Sequence, residues 1–292
     1  MGSPRSFRYN PAWKENWETA REQIIDLNPD LLLVGGDLTR DGSLHDYELR
    51  AMRKDLESLP FPFGVVPGNM DTGNKHTRIP GPIAGREDPD IGITPGQARR
   101  FSSEFGPLQW SLEHRNVLIR GFCDMLVGSG LDEEGEQWEW FERLERGDAN
   151  THHIWLMHYP PFIDRPDEPN FNIKTSYHDW YFGIDRPGRD RLLLKMGEAG
   201  CDMVLCGHVH CRKSHIFDGV RYEVAPSTAF PQWGDRWSDG DPGLGFMLYE
   251  VGEMGISKRY VPLARQSGAR GYGPGGHPPP SMRNYSLAWE RG

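Results

Sequence analysis

The sequence predicts an α/β protein. Two observations carry this prediction: short apolar runs that end abruptly in Gly-containing polar loops, and helix-patterned segments lying between those runs. A third observation extends it. From Val220 onward, strand-like runs follow one another without helices, which predicts antiparallel strands completing a second sheet.

Asn10-Pro11 opens the first helix, because Asn caps well and Pro suits the first helical position. Trp13, Trp17, Ala20, Ile24 and Leu27 then fall on one face and read as core, and Asn28-Pro29 ends the helix. Residues 30–34 form an apolar run that reads as a buried strand and ends in Gly35-Gly36-Asp37. A second helix is expected over 43–59, with Ser43 and Asp46 in positions resembling a capping box. Residues 63–66 read as a strand that runs into Pro67-Gly68-Asn69-Met70-Asp71. The charged stretch 133–146 reads as a helix with a solvated face.

The rhythm recurs at 154–157, which leads into His158-Tyr159-Pro160-Pro161. A helix over about 189–199 then precedes the run 203–206, which leads into Gly207-His208-Val209-His210. Residues 220–224, 246–251 and 256–261 are the helix-free strands of the expected second sheet. Long loops are expected at 72–95 and 162–187, a length that in compact domains usually goes with function. Residues 1–265 read as one domain, and 266–292 as a Gly/Pro-rich disordered tail.

The 292 residues suffice for a substantial core, and 37% hydrophobic with 26% charged residues fits a globular protein. The formal charge of -9 gives no overall attraction for a nucleic-acid backbone, so nucleic acid is disfavoured as a partner. No apolar run approaches a membrane span, and Met1 to Asn10 is short and polar. The four cysteines, Cys123, Cys201, Cys206 and Cys211, contain no C-x-x-C pair and read as reduced, buried thiols of a cytoplasmic protein.

Four polar clusters each follow an expected strand: Gly36-Asp37, Gly68-Asn69-Met70-Asp71, His158, and Gly207-His208-Val209-His210. Carboxyl ends of strands are where α/β sites assemble, and Asp, Asn and His supply donors suited to Zn, Mn or Fe. Each piece alone reads as a turn or an ordinary loop residue; four in order at strand ends do not.

In that order the clusters resemble the signature of calcineurin-like metallophosphoesterases, over about residues 30–263, and within that family its phosphodiesterase branch. The resemblance implies a four-layer α/β/β/α sandwich with two mixed sheets and two divalent metals. It implies Asp37 as the carboxylate bridging both metals, with Asn69, His158 and His208 completing the ligand set of the second metal and His210 belonging to the first metal. A small phosphorylated substrate is expected, hydrolysed by a metal-activated hydroxide.

Two departures from the family pattern stand out. The opening Asp-x-His motif does not occur before Asp37, which leaves Asp37 and His210 for the first metal. A misassigned start or a truncated chain, with one more strand upstream, is the expectation; a catalytically impaired scaffold that binds partners is the alternative. Met70 stands where the family often has a His that protonates the leaving oxygen, and Met cannot donate a proton. This tilts the expectation toward phosphodiesters. Asp71, which would orient that His, is retained as a catalytic candidate. His178 and Tyr177, in the second long loop beside Trp180 and Tyr181, are candidates for substrate contact.

Overall fold

The computed structural model describes residues 10–77, 92–148, 151–232, 236–252 and 255–269. Helix α1 (Pro11–Leu27) begins as expected, with the Asn10 side chain accepting from the Ala12 amide. Its apolar stripe is buried as far as Ile24, whereas Leu27 in the last turn is exposed. Strands β1 (Leu32–Val34) and β2 (Phe63–Val65) pair in parallel, joined by α2 (Asp46–Glu57). Helix α2 starts later than the sequence predicts, at an N-cap His45 with no side-chain cap bond. The reason lies in Glu48, whose buried carboxylate turns back to accept from the Arg40 and Asp41 amides at 3.0 and 2.9 Å. The capping chemistry is thus directed into the loop after β1 rather than into the helix end.

A short helix α3 (Asn69–Thr72) and α4 (Pro95–Phe105) follow. Helix α4 lies beyond the first expected loop, with a capping box of Thr94 and Gln97. Residues 78–91 of that loop lie outside the described residues. Strands β3 (Trp110–His114) and β4 (Val117–Gly121) form an antiparallel hairpin that the sequence reading did not mark. Helix α5 (Asp132–Glu142) then leads to β5 (His152–Leu156). The second long loop carries its own helix, α6 (Tyr177–Phe182), before α7 (Gly188–Glu198) and β6 (Met203–Cys206). The chain continues through β7 (Lys213–Phe217), β8 (Val220–Val224), β9 (Gly245–Gly252) and β10 (Gly255–Pro262).

The large sheet has the order β3-β4-β5-β6-β8-β7 and is mixed, parallel from β4 to β8 with antiparallel strands at both edges. Strand β8 therefore does not join β9 and β10 as expected; it pairs in parallel with β6, and among the described residues β9 and β10 pair only with each other. The hydrophobic pattern identified β8 as a strand but could not say which neighbour would take it, because pairing is decided by the crossover.

Alternation along the strands sets the layers. Val117, Ile119, Ile154, Leu156, Met203 and Leu205 share one face and pack with Leu31, Leu33 and Val66 at the β1–β2 pair, and with Tyr249, Val251 and Ile256 of β9–β10. On the opposite face Trp155 stacks on Phe141 of α5 at 5.5 Å, in a core shared with Leu192 and Met196 of α7. Behind β1–β2, Leu32, Val34, Phe63 and Val65 pack into the core that includes Trp17 and Ile24 of α1 and Leu49 and Leu56 of α2. Helix, sheet, sheet and helix therefore stack as an α/β/β/α sandwich. Beyond β10, Ser267 donates its amide to Asn16 of α1 at 2.7 Å, while residues 270–292 of the expected tail lie outside the described residues.

Candidate metal centre

The carboxyl ends of β1, β2, β5 and β6 meet at one edge, where the Gly207 amide donates to the His158 carbonyl at 2.9 Å and the Val66 amide to the Val34 carbonyl at 3.2 Å. Asp37, His208 and His210 all sit in the left-handed region, at φ of 53°, 62° and 55°. Non-glycine residues held there are uncommon and gather at functional sites. Two glycines make the closeness possible. A Cβ on Gly36, whose φ is 88°, would lie 2.5 Å from His158 Nδ1, and one on Gly68 would run into the Asp37 carboxylate and lie 2.8 Å from His158 Cε1.

His158 Nε2 is the hub of the site. It lies 3.4 Å from Asp37 Oδ1, 3.1 Å from Asn69 Oδ1 and 3.1 Å from His208 Nδ1. The other nitrogen of each ring is committed to a carbonyl: His158 Nδ1 to Gly35 at 2.7 Å and His208 Nε2 to Tyr181 at 2.8 Å. A ring N–H must donate to each carbonyl, so the lone pairs remain on Nε2 of His158 and Nδ1 of His208. Four acceptors, from Asp37, Asn69, His158 and His208, then face one another with no donor of their own. Only a cation or a proton satisfies such a convergence. Asp37, His158 and His208 form the one cluster among the described residues whose His, Cys, Asp or Glu ligand atoms approach closely enough to share an ion. The donor set, one carboxylate, one amide oxygen and two imidazoles, suits a divalent transition metal.

The electrostatics agree with this geometry. Burial alone lowers the His158 pKa, but the facing Asp37 outweighs it and raises the imidazole to about 9. Burial works against ionisation of Asp37, yet His158 and His208 hold its carboxyl well below the usual range. His208 is driven well below its ordinary value by burial and by the neighbouring His158. A proton on His158 thus occupies the position a metal would take. Metal uptake is expected to strengthen by about tenfold per pH unit up to about pH 9 and then level off, because binding displaces that proton. The raised pKa also stabilises the metal-free fold below the unfolded value of 6.5, and this contribution is lost as pH rises through about 9. Isothermal titration and denaturation across that window check the two halves; a pH-independent affinity contradicts the first.

His210 lies outside that cluster; its ring meets Phe230 edge-on at 4.3 Å, and burial lowers its pKa to about 4. Asp71 is fully buried and accepts four hydrogens, from the Leu38, Thr39 and Gly68 amides and the Thr39 hydroxyl, at 2.6–3.1 Å. It ties the loop that carries Asp37 to the loop that carries Asn69. Met70 donates its amide to Asp37 Oδ1 at 2.9 Å, and its sulfur lies 3.9 Å from Arg40 Nη1. Tyr177 is partly buried on α6 and His178 is exposed beside it, in the element whose Tyr181 reaches the cluster. Trp233 lies outside the described residues.

Sequence reasoning passed over Asp124 and Arg40. Asp124 is fully buried and accepts the His158 and Tyr159 amides at 2.9 and 2.6 Å, fixing the turn from which His158 projects. Its signal was present: like Asp37, it follows an apolar strand, Val117–Gly121.

The profile of the calcineurin-like phosphoesterases matches residues 10–212. The chain is 25% identical over 215 residues to the Arcobacter nitrofigilis protein named "Probable glycerophosphodiester phosphodiesterase GpdQ", covering 68% of this chain and 63% of that one. It is 24% identical over 271 residues to the Danio rerio "Serine/threonine-protein phosphatase CPPED1", covering 87% and 77%. The fold is similar to that of the purple acid phosphatase PPD1 from yellow lupin seeds, with a TM-score of 0.57 at 15% identity, over 86% of this chain and 48% of that one.

Proposed function

Because the chain belongs to the calcineurin-like phosphoesterases, we propose that it hydrolyses a small phosphodiester with a divalent metal held by Asp37, Asn69, His158 and His208. The observation that carries this reading is the convergence of four acceptors on one point, with both imidazole tautomers fixed from behind. When bound, the metal supplies Lewis acidity and a means of ionising water near neutral pH. Asp37 and His210 would hold the other metal, the first of the family pattern, and Mn, Fe or Zn would fit these donors.

The protein's own groups do the rest. Asp37 stays ionised, and His158 and His208 present lone pairs at defined atoms. Asp71 acts through position, holding the two ligand loops together. Met70 offers no proton to a leaving oxygen, and the cation beside it, Arg40, stabilises charge without protonating. A leaving group must therefore depart as the anion, which favours diesters with good leaving groups; the diesterase-named relative supports the same choice. His178 and Tyr177, on the helix behind Tyr181, are the proposed substrate contacts. Four free, buried thiols support a cytoplasmic location, and among the described residues no helix is long and apolar enough to cross a membrane.

The test is hydrolysis of a bis-aryl phosphodiester and the matching monoester by protein loaded with Mn, Fe or Zn. The diester is expected to turn over faster, and a chelator to abolish both activities. Met70→His is expected to raise monoester turnover by about 10²-fold, the lower range of general acid catalysis. No turnover with any of the three metals sinks the proposal.

A further inference from the structure

Tyr181 engages the cluster twice. Its carbonyl accepts from His208 Nε2 at 2.8 Å, and its hydroxyl accepts from Asn69 Nδ2 at 2.9 Å. The ring lies 4.6 Å from the His208 ring, between centroids. The segment that carries it is firmly held: Lys75, itself buried, donates to the Gly183 carbonyl and to Asp185 at 2.5 and 3.1 Å, and buried Trp180 donates to Asp185 at 3.1 Å. Apart from that hydroxyl, the near partner of Asn69 Nδ2 is the Met70 sulfur at 3.5 Å, a weak acceptor.

We infer that Tyr181 is a positioning residue for the metal centre, one whose hydroxyl anchors the far end of the Asn69 amide so that its oxygen stays aimed at the ion. This rests on the metal-centre reading above. An amide has one ligating end, and rotation about its terminal torsion costs little, so an unanchored Asn spends part of its time with the oxygen turned away. A carboxylate differs, because either oxygen can ligate. The same residue fixes the His208 tautomer through its carbonyl, so both ligands depend on where α6 sits.

The experiment is Co(II) binding to the full chain, read by affinity and by the visible absorption spectrum, for the native protein, Tyr181→Phe, Asn69→Asp and the double variant. Tyr181→Phe keeps the ring and the carbonyl, and circular dichroism of the metal-free protein reports its fold. Its affinity is expected to fall by about 10-fold or more, the scale of lost outer partners of a ligand, with an altered spectrum. In the Asn69→Asp background the same change is expected to cost less than about 3-fold, a coupling that a double-mutant cycle measures. Unchanged affinity and spectrum in Tyr181→Phe overturn the inference, and so does an equal loss in both backgrounds. A native protein that takes up no Co(II) overturns the metal-centre reading itself, a result visible without any variant.

Discussion

Replacing His158 by alanine is expected to lower metal uptake by well over about 10²-fold, beyond the range reached by loss of an outer partner alone. His158 Nε2 touches Asp37, Asn69 and His208, so its loss removes one donor and unsettles three others. Asp37 also loses the partner that holds its carboxyl low. Hydrolysis is expected to fall in parallel with metal content. The fold should survive, because strand β5 and the grip of Asp124 on the backbone amides of residues 158 and 159 do not need the imidazole. His158→Gln separates the roles: it offers an N–H to the Gly35 carbonyl without supplying an imidazole ligand. Metal content by elemental analysis, beside circular dichroism, is the measurement. A folded His158→Ala protein with native metal content contradicts the site assignment.

Asp71→Ala is expected to be the most destabilising change at the site, costing about 3 kcal/mol or more. The carboxylate satisfies three backbone amides and one hydroxyl in a fully buried position. Stranded buried donors cost roughly 1–3 kcal/mol each, although water entering the vacated space recovers part of that sum. Asp71→Asn is the informative partner, since it keeps one acceptor oxygen and turns the other into a donor aimed at amides. It should fall between the native protein and Asp71→Ala. Urea denaturation reads both as shifts in midpoint at constant slope. A loss below about 0.5 kcal/mol, the ordinary surface range, contradicts the view that Asp71 holds the two ligand loops together. Burial and the nearby Asp37 raise the Asp71 pKa to about 6. The proton-linked part of its stability, relative to an unfolded carboxyl at 3.8, is therefore fully present below pH 3.8 and lost as pH rises through about 6, so the Asp71 variants are compared at one fixed pH.

Much of the architecture was legible because its signals are local. An apolar run followed by Gly-Asp, Gly-Asn or Gly-His marks a strand end with a polar loop. Asp37, Asn69 and His208 were singled out this way, and His158 by its place directly after an apolar run; the structure gathers their donor atoms around one point. The hairpin β3–β4 and the edge strand β7 were missed because Ser, Glu and His interrupt the apolar pattern in β3 and β7. Helix α6 was missed because six residues are too few for a period to declare itself.

The sequence by itself determined the class of fold, the order of its strand–loop units and the chemical identity of the donors, because periodicity and residue type are properties of neighbouring residues. The tertiary structure alone decided that β8 pairs with β6, that His210 stands apart from the cluster of Asp37, His158 and His208, and that Tyr181, Asp124, Asp71 and Arg40 surround the centre. Those relations join residues 30 to 112 positions apart along the chain where a side chain meets a distant partner, as between Arg40 and Met70 or Tyr181 and Asn69. No local pattern encodes such pairs. They form only when packing of the two sheets brings four strand ends to one edge and leaves buried polar groups that must find partners there.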